Sequence, residues 1–259
     1  MELVLLGHII GDFYAQTDKM AEEKKNSIKY MILHCMSYTF VMGMIFFVMS
    51  RQVGMTLKMS VFVMLSHFMI DMLKQKLDKR TECEYIVFLV DQLLHILTLL
   101  FIVYNVNQQS CFQIGKEWMI NNLNVDKYII IVCAMLVCWK PAAIFVSLVF
   151  NIIPETIEQA NRTESTSENK ENEEVKIRSW ENIENEEVKI GSWIGILERE
   201  IILILGIMGQ FGAIGFVLTA KSLARYRQLE KKAFAEKYLV GTLLSAFIAI
   251  VCVAVVNKC

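Results

Sequence analysis

The sequence predicts an all-α fold, a polytopic transmembrane helical bundle with six or seven membrane segments. Three observations carry that prediction. Hydrophobic residues make up 55% of the 259 positions and the mean hydropathy is +0.43, above the roughly 45–50% apolar content of ordinary soluble domains. The apolar residues gather into runs at 2–15, 28–49, 57–73, 85–104, 128–153, 196–219 and 238–256, most of them near the ~20 residues a helix needs to cross a bilayer. Finally, all four histidines lie inside these runs and none lies in a loop.

The first run holds Gly7-His8-Ile9-Ile10-Gly11-Asp12-Phe13-Tyr14-Ala15-Gln16. It lacks a positively charged start and a small-residue cleavage site, so it reads as a retained, partial or tilted crossing rather than a signal peptide. His8 and Asp12 are four apart and Gln16 follows one turn on, so a helix lines all three along one face. The second run places His34 in Tyr30-Met-Ile-Leu-His34-Cys-Met-Ser-Tyr38, the third places His67 four residues before Asp71, and the fourth places Asp91 four residues before His95. The charged turns 17–27 and 74–84 are expected to be the two tightest connections.

In the fifth run Lys140-Pro141 predicts a kink and a lysine that needs an acidic or phosphate partner. The chain then changes character. Residues 154–193 form an acidic linker rich in Glu, Asn, Ser and Thr, a composition that buries little. Within it Glu171-Asn-Glu-Glu-Val-Lys-Ile-Arg-Ser-Trp180 returns as Glu184-Asn-Glu-Glu-Val-Lys-Ile-Gly-Ser-Trp193. Asn161-Arg-Thr163 fits a glycosylation sequon that a cytoplasmic linker would never present. The organisation is therefore 1–153, membrane helices with the His/Asp cluster; 154–193, the linker; and 194–259, C-terminal membrane helices with a basic cluster. In that last part Gly206, Gly209, Gly212 and Gly215 recur every third residue, and Gly241/Ser245 offer another small-residue face, both suited to close helix packing.

Lysine and arginine concentrate in the first and third loops (Lys19, Lys24, Lys25, Lys29; Lys74, Lys76, Lys79, Arg80). That puts the N-terminus outside a bacterial cytoplasmic membrane. The count then conflicts with itself, because Lys221 to Lys237 would fall outside unless a late run does not span or an early one is re-entrant. The formal charge of −1 carries no signature of a nucleic-acid partner and none is expected; membrane lipid is. Seven cysteines without a CxxC pair predict no disulfide framework, and Cys259 lacks a prenylation pattern.

Three aspartates and four histidines in apolar helices need compensation, since an Asp near mid-bilayer costs on the order of 3 kcal/mol on insertion scales. A divalent cation, Zn²⁺ or Mn²⁺ first and Fe²⁺ next, in one or two copies, supplies it. Imidazole with carboxylate is the appropriate ligand mixture, and four-residue spacing on facing helices projects such ligands inward. The candidate ligands are His8, Asp12, His34, His67, Asp71, Asp91 and His95. Asp12, Asp71 and Asp91 are the candidate catalytic groups, undivided between ligand and base, while Gln16 and Gln92 are placed to orient ligands from outside. Lys140, Lys221 and Arg225 are candidates for holding an anionic group, against the plainer reading of helix-end lysines and arginines that snorkel. The competing account makes each Asp/His pair a hydrogen-bonded structural couple or part of a proton path.

Gly7-His8-x-x-Gly11-Asp12-Phe13-x-x-Gln16, Leu33-His34, Ser66-His67-Phe68-x-Ile70-Asp71 and Asp91-Gln92-x-x-His95 together resemble the DUF3307 family of bacterial membrane proteins, whose function is unknown. Gly195-Ile-Leu-Glu-Arg199, Gly209-Gln210-Phe-x-Ala213-Ile-Gly-Phe216, Thr219-Ala-Lys-Ser222-x-x-Arg225 and Gly241-Thr-Leu-Leu-Ser245 resemble its longer members. More loosely, the His/Asp helices are similar to YdjM-type membrane-bound metal-dependent hydrolases. The functional expectation is a metal-dependent hydrolase acting on a phosphorylated or lipidic substrate near the membrane surface. The alternatives are a cation or proton-coupled transporter using the same cluster and a non-enzymatic membrane partner protein.

Overall fold

The computed structural model describes residues 1–24, 27–81, 83–107, 125–151, 190–230 and 232–258, and among them every regular element is helical. Most of the acidic linker, the sequon and the first repeat copy lie outside the described residues. Five helices are long and apolar enough to cross a membrane. The chain forms two compact units, one built on Met1–Pro141 and one on Ala142–Asn257. Hydropathy marks a boundary at 153, where the apolar run ends; compactness marks one at Pro141.

In the first unit, α1 (Glu2–Ile9) widens into a π-helical turn over Ile10–Tyr14, closed by the Ala15 N–H on the Ile10 carbonyl at 2.8 Å. A short helix α2 (Asp18–Glu23) follows, its first turn capped by the Thr17 hydroxyl accepting from the Met20 N–H at 3.2 Å. Then come α3 (Ile28–Ser50), α4 (Val53–Asp78) and α5 (Glu84–Asn107). The α3–α4 link is shorter than either charged turn, only Arg51 and Gln52. Arg51 takes the left-handed conformation (φ 51°) and its N–H bonds the Phe47 carbonyl at 2.8 Å. A glycine usually marks that position; with arginine there, the reversal leaves no trace in the sequence.

Each long helix buries one stripe at helical spacing. Met31, Cys35, Tyr38, Met42 and Phe46 are buried on α3, Met59, Val63, His67 and Asp71 on α4, and Phe88, Asp91, His95, Leu99 and Ile102 on α5. The stripe is polar toward the end carrying the charged turns. Toward the Ser50 end it is mostly apolar, where Met42, Phe46, Met59, Val63, Leu99 and Ile102 pack with Val4. The next described helix, α6 (Val125–Phe150), packs Ile129 and Cys133 on Ile9 of α1. It stays helical through Pro141.

The second unit holds the end of α6, then α7 over 190–207, α8 (Phe211–Ala224), α9 (Tyr226–Leu229) and α10 (Lys232–Lys258). The apolar run 196–219 is thus two helices, not one. Gly209 adopts φ +73° between them, and an ion pair from Lys221 to Glu198 ties the two legs antiparallel. At about 1.5 Å per residue the legs reach about 27 and 21 Å, short of the ~30 Å hydrocarbon core. The glycine series does several different things. A Cβ on Gly206 would sit 2.5 Å from Val253 Cγ2 and one on Gly241 would run into the Phe150 ring, whereas Gly212 and Gly215 have nothing within 4 Å.

Candidate metal centre

Two glycines bring α1 onto α3. A Cβ at Gly7 would lie 2.9 Å from Ile45 Cγ1, and one at Gly11 would lie 2.7 Å from Tyr38 Cδ2. Their four-residue spacing is that of close-packing membrane helices. The contact carries the neighbouring residues, His8 and Asp12, into the polar end of the bundle, and the π turn that begins at Ile10 leaves Gly11, Asp12 and Phe13 buried. Single π turns of this kind are frequent at functional sites.

One glutamine on α5 fixes the proton positions around α1. The Gln92 amide nitrogen donates to Asp12 Oδ2 at 3.0 Å and to Asp91 Oδ2 at 3.1 Å, so its carbonyl oxygen faces His8 Nε2 at 3.3 Å. An amide oxygen only accepts, hence His8 carries its proton on Nε2, and His8 Nδ1 accepts from the Tyr38 hydroxyl at 3.1 Å. His8 therefore has a hydrogen-bond partner at both ring nitrogens. Its ring also stacks on His95 with centroids 5.3 Å apart.

On the other side of Asp12, His34 Nε2 lies 3.3 Å from Asp12 Oδ1, 3.1 Å from His67 Nε2 and 3.6 Å from Asp71 Oδ2. His67 Nε2 is likewise 3.6 Å from Asp71 Oδ2, and the ring is held flat against Tyr38, with centroids 3.8 Å apart and 6° between planes. Asp12, His34 and His67 present ligand atoms all within 4.8 Å of one another, and so do Cys35, His67 and Asp71. Nothing in the sequence pattern sets Cys35 apart from the other cysteines.

Asp12, Asp91 and His95 make a third such group. His95 Nδ1 contacts the Asp91 backbone carbonyl at 2.9 Å. A carbonyl only accepts, so the proton is on Nδ1 and the Nε2 lone pair is left facing the cluster, the usual way a ligating histidine is oriented. His95 Nε2, Asp91 Oδ1, Asp71 Oδ2, His34 Nδ1 and His67 Nδ1 are buried without a hydrogen-bond partner. Lys74, one turn beyond Asp71, donates to Asp91 Oδ2 at 2.8 Å and keeps a quarter of its side chain exposed. It was read from sequence only as a loop charge.

The remaining candidates are placed as follows. Gln16 lies past the π turn, with its Oε1 buried and without a hydrogen-bond partner; Gln92 is the glutamine that bonds the cluster. Lys140 Nζ donates to the Phe13 carbonyl at 3.1 Å and lies 5.5 Å from the Tyr14 ring centroid. It finds a carbonyl rather than the acidic or phosphate partner expected. Lys221 pairs with Glu198 in the second unit, and Arg225 is half-buried at the turn from α8 to α9. Cys35, Cys83 and Cys133 are free thiols.

Comparison with known families gives one match. Residues 1–121 match a family described as "Protein of unknown function (DUF3307)". The matched stretch contains every histidine and aspartate of the cluster, Tyr38 and Lys74, and it ends before the motifs in 195–245 that resemble longer members. No curated protein and no solved structure matches the chain.

Proposed function

We propose that the chain is a membrane-embedded, divalent-metal-dependent hydrolase acting on a phosphorylated or lipidic substrate at the membrane surface. The observation that carries this reading is the position of Asp12. Its Oδ1 faces His34 and His67 while its Oδ2 lies beside Asp91 through Gln92, so one carboxylate belongs to two groups of ligand atoms. Asp12, His34, His67 and Asp71 would hold one cation, and Asp12, Asp91 and His95 a second. The donor set fits Zn²⁺ or Mn²⁺, and the unpartnered lone pairs of His95, Asp71 and Asp91 are what such a cation satisfies. When bound, it supplies Lewis acidity toward a phosphoryl or acyl oxygen.

The chain's own groups do the rest. His8, Gln92 and Tyr38 hold the ligands in register through the bonds described above. The Lys74 ammonium holds Oδ2 of Asp91, which leaves Oδ1 of the same carboxylate for the cation. Lys74 reaches from the cluster to the exposed surface and offers an anionic substrate its first contact. Depth supports surface chemistry over transport. His34 lies about 9 Å along α3 from its first residue at ~1.5 Å per residue, and beyond Tyr38 the bundle is closed by the Met42, Phe46, Met59, Val63, Leu99 and Ile102 layer. Among the described residues, the buried side chains that pack in that layer are apolar. With the two lysine-rich turns inside, the site opens on the cytoplasmic face.

The test is elemental analysis of the purified protein together with hydrolysis of a lipid phosphomonoester in mixed micelles. Near-stoichiometric Zn or Mn and turnover lost in Asp91→Asn are expected. A folded wild type that holds no metal, yet moves cations or protons in proteoliposomes, would replace this reading with the transporter.

A further inference from the structure

We infer that Cys35 is a metal ligand, giving the His67/Asp71 side of the centre a thiolate donor; this rests on the metal-centre reading above. The neighbours of the sulfur carry the argument. Cys35 follows His34 on α3, is buried, and its Sγ lies with a ring nitrogen of His67 and a carboxylate oxygen of Asp71 in one group within 4.8 Å. Two atoms of these partners, His67 Nδ1 and Asp71 Oδ2, are buried without hydrogen bonds. A thiol that merely fills space sits among alkyl groups. Cys133 is the contrast, packed with Ile9 and Ile129 while its thiol donates to the Glu2 backbone carbonyl at 4.0 Å rather than facing imidazole and carboxylate.

Thiolate, imidazole and carboxylate together form a borderline-soft donor set that favours Zn²⁺ over Mn²⁺ or Mg²⁺. Ligation replaces the S–H bond by an S–metal bond and releases one proton to solvent, with no change of oxidation state. The thiolate also removes the ambiguity about the metal, because a site of carboxylate and imidazole alone accepts Mn²⁺ and a sulfur-bearing one discriminates against it.

The experiment loads the purified full-length protein with Co²⁺ and records thiolate-to-cobalt charge transfer in the near ultraviolet. The wild type is expected to show the band, Cys133→Ser to keep it, and Cys35→Ser to lose it while still binding Co²⁺, about tenfold or more weakly. A variant keeping Cys35 as its only cysteine must retain the band, which guards against misfolding of Cys35→Ser. Bound Co²⁺ without the band in wild type, or a band that survives in Cys35→Ser, overturns the thiolate and leaves the metal centre standing. A wild type that binds no Co²⁺ overturns both.

Discussion

In the second unit Lys221 pairs with Glu198 and donates to Thr242 at 3.3 Å, and Arg199 donates to Ser245 at 3.3 Å; in the first, Asp12, Asp71 and Asp91 meet a single paired ammonium, Lys74. Both regions bury charge at a cost that burial alone imposes. The second sets Lys221 and Arg199 against Glu198 and Glu200, although Glu198 Oε1 and both Glu200 carboxylate oxygens are buried without a hydrogen-bond partner. The first carries a surplus of carboxylates over ammonium, together with unpartnered imidazole nitrogens, and that combination is what asks for a cation. Charge balance, rather than the presence of buried charge, separates a structural ion pair from a candidate binding centre.

The comparison breaks first if the second region is not self-compensated. Glu198→Gln leaves Lys221 without its counter-charge, and with the lysine partly exposed the loss is expected near the lower end of the about 3–5 kcal/mol typical of such cuts. The double variant Glu198→Gln/Lys221→Met restores most of it. Thermal unfolding in detergent checks this, with metal content unchanged throughout. A single variant as stable as wild type would mean that the pair contributes nothing.

The first region gives the opposite sign. Asp12→Asn removes the carboxylate that both ligand groups share, so metal affinity falls on the order of a hundredfold, at or beyond the range seen when outer partners of a ligand are lost. In metal-stripped protein, however, Asp12→Asn is expected to be more stable than wild type, since one uncompensated buried charge is gone. Titration with Zn²⁺ and unfolding with and without chelator measure both halves. A stripped wild type that equals its holo form in stability denies the charge surplus.

Backbone approach is the next largest effect. Gly11→Ala forces a methyl group to within 2.7 Å of Tyr38 Cδ2, a misfit costing about 1–3 kcal/mol, offset in part by the ~1 kcal/mol of helix propensity gained. Gly215→Ala has open space around it and is expected to gain about 0.5–1 kcal/mol. Opposite signs at the two glycines are the measurement; the same sign at both would put the close α1–α3 contact in error.

The sequence made the His/Asp centre legible because four-residue spacing in apolar helices leaves few other positions for those side chains. Cys35, Tyr38 and Lys74 were harder to see, since each is an ordinary residue type on the same stripe and only proximity distinguishes it. The sequence places His8 on the stripe, but not the Gln92 and Tyr38 partners that meet its two nitrogens. In the second unit a regular glycine spacing suggested one packing face and hydropathy suggested one span. A positive φ at Gly209 divides the run, and neither pattern registers it.

The smallest effect is expected in the linker, and it tests whether the two regions are independent. Removing one copy of the thirteen-residue repeat, Glu171–Trp180 with its spacer, shortens the 154–193 connection by about a third. Loop-closure entropy varies only as the logarithm of length, so the change amounts to a few tenths of a kcal/mol. The segment's composition supplies few apolar side chains with which to dock. Metal stoichiometry, the Glu198/Lys221 coupling energy and the unfolding midpoint are therefore all expected to match wild type. A loss of metal with the coupling intact would place a linker contribution at the first region, and a loss of coupling with metal intact would place it at the second. Either result would replace two self-contained polar regions with one that depends on the segment between them.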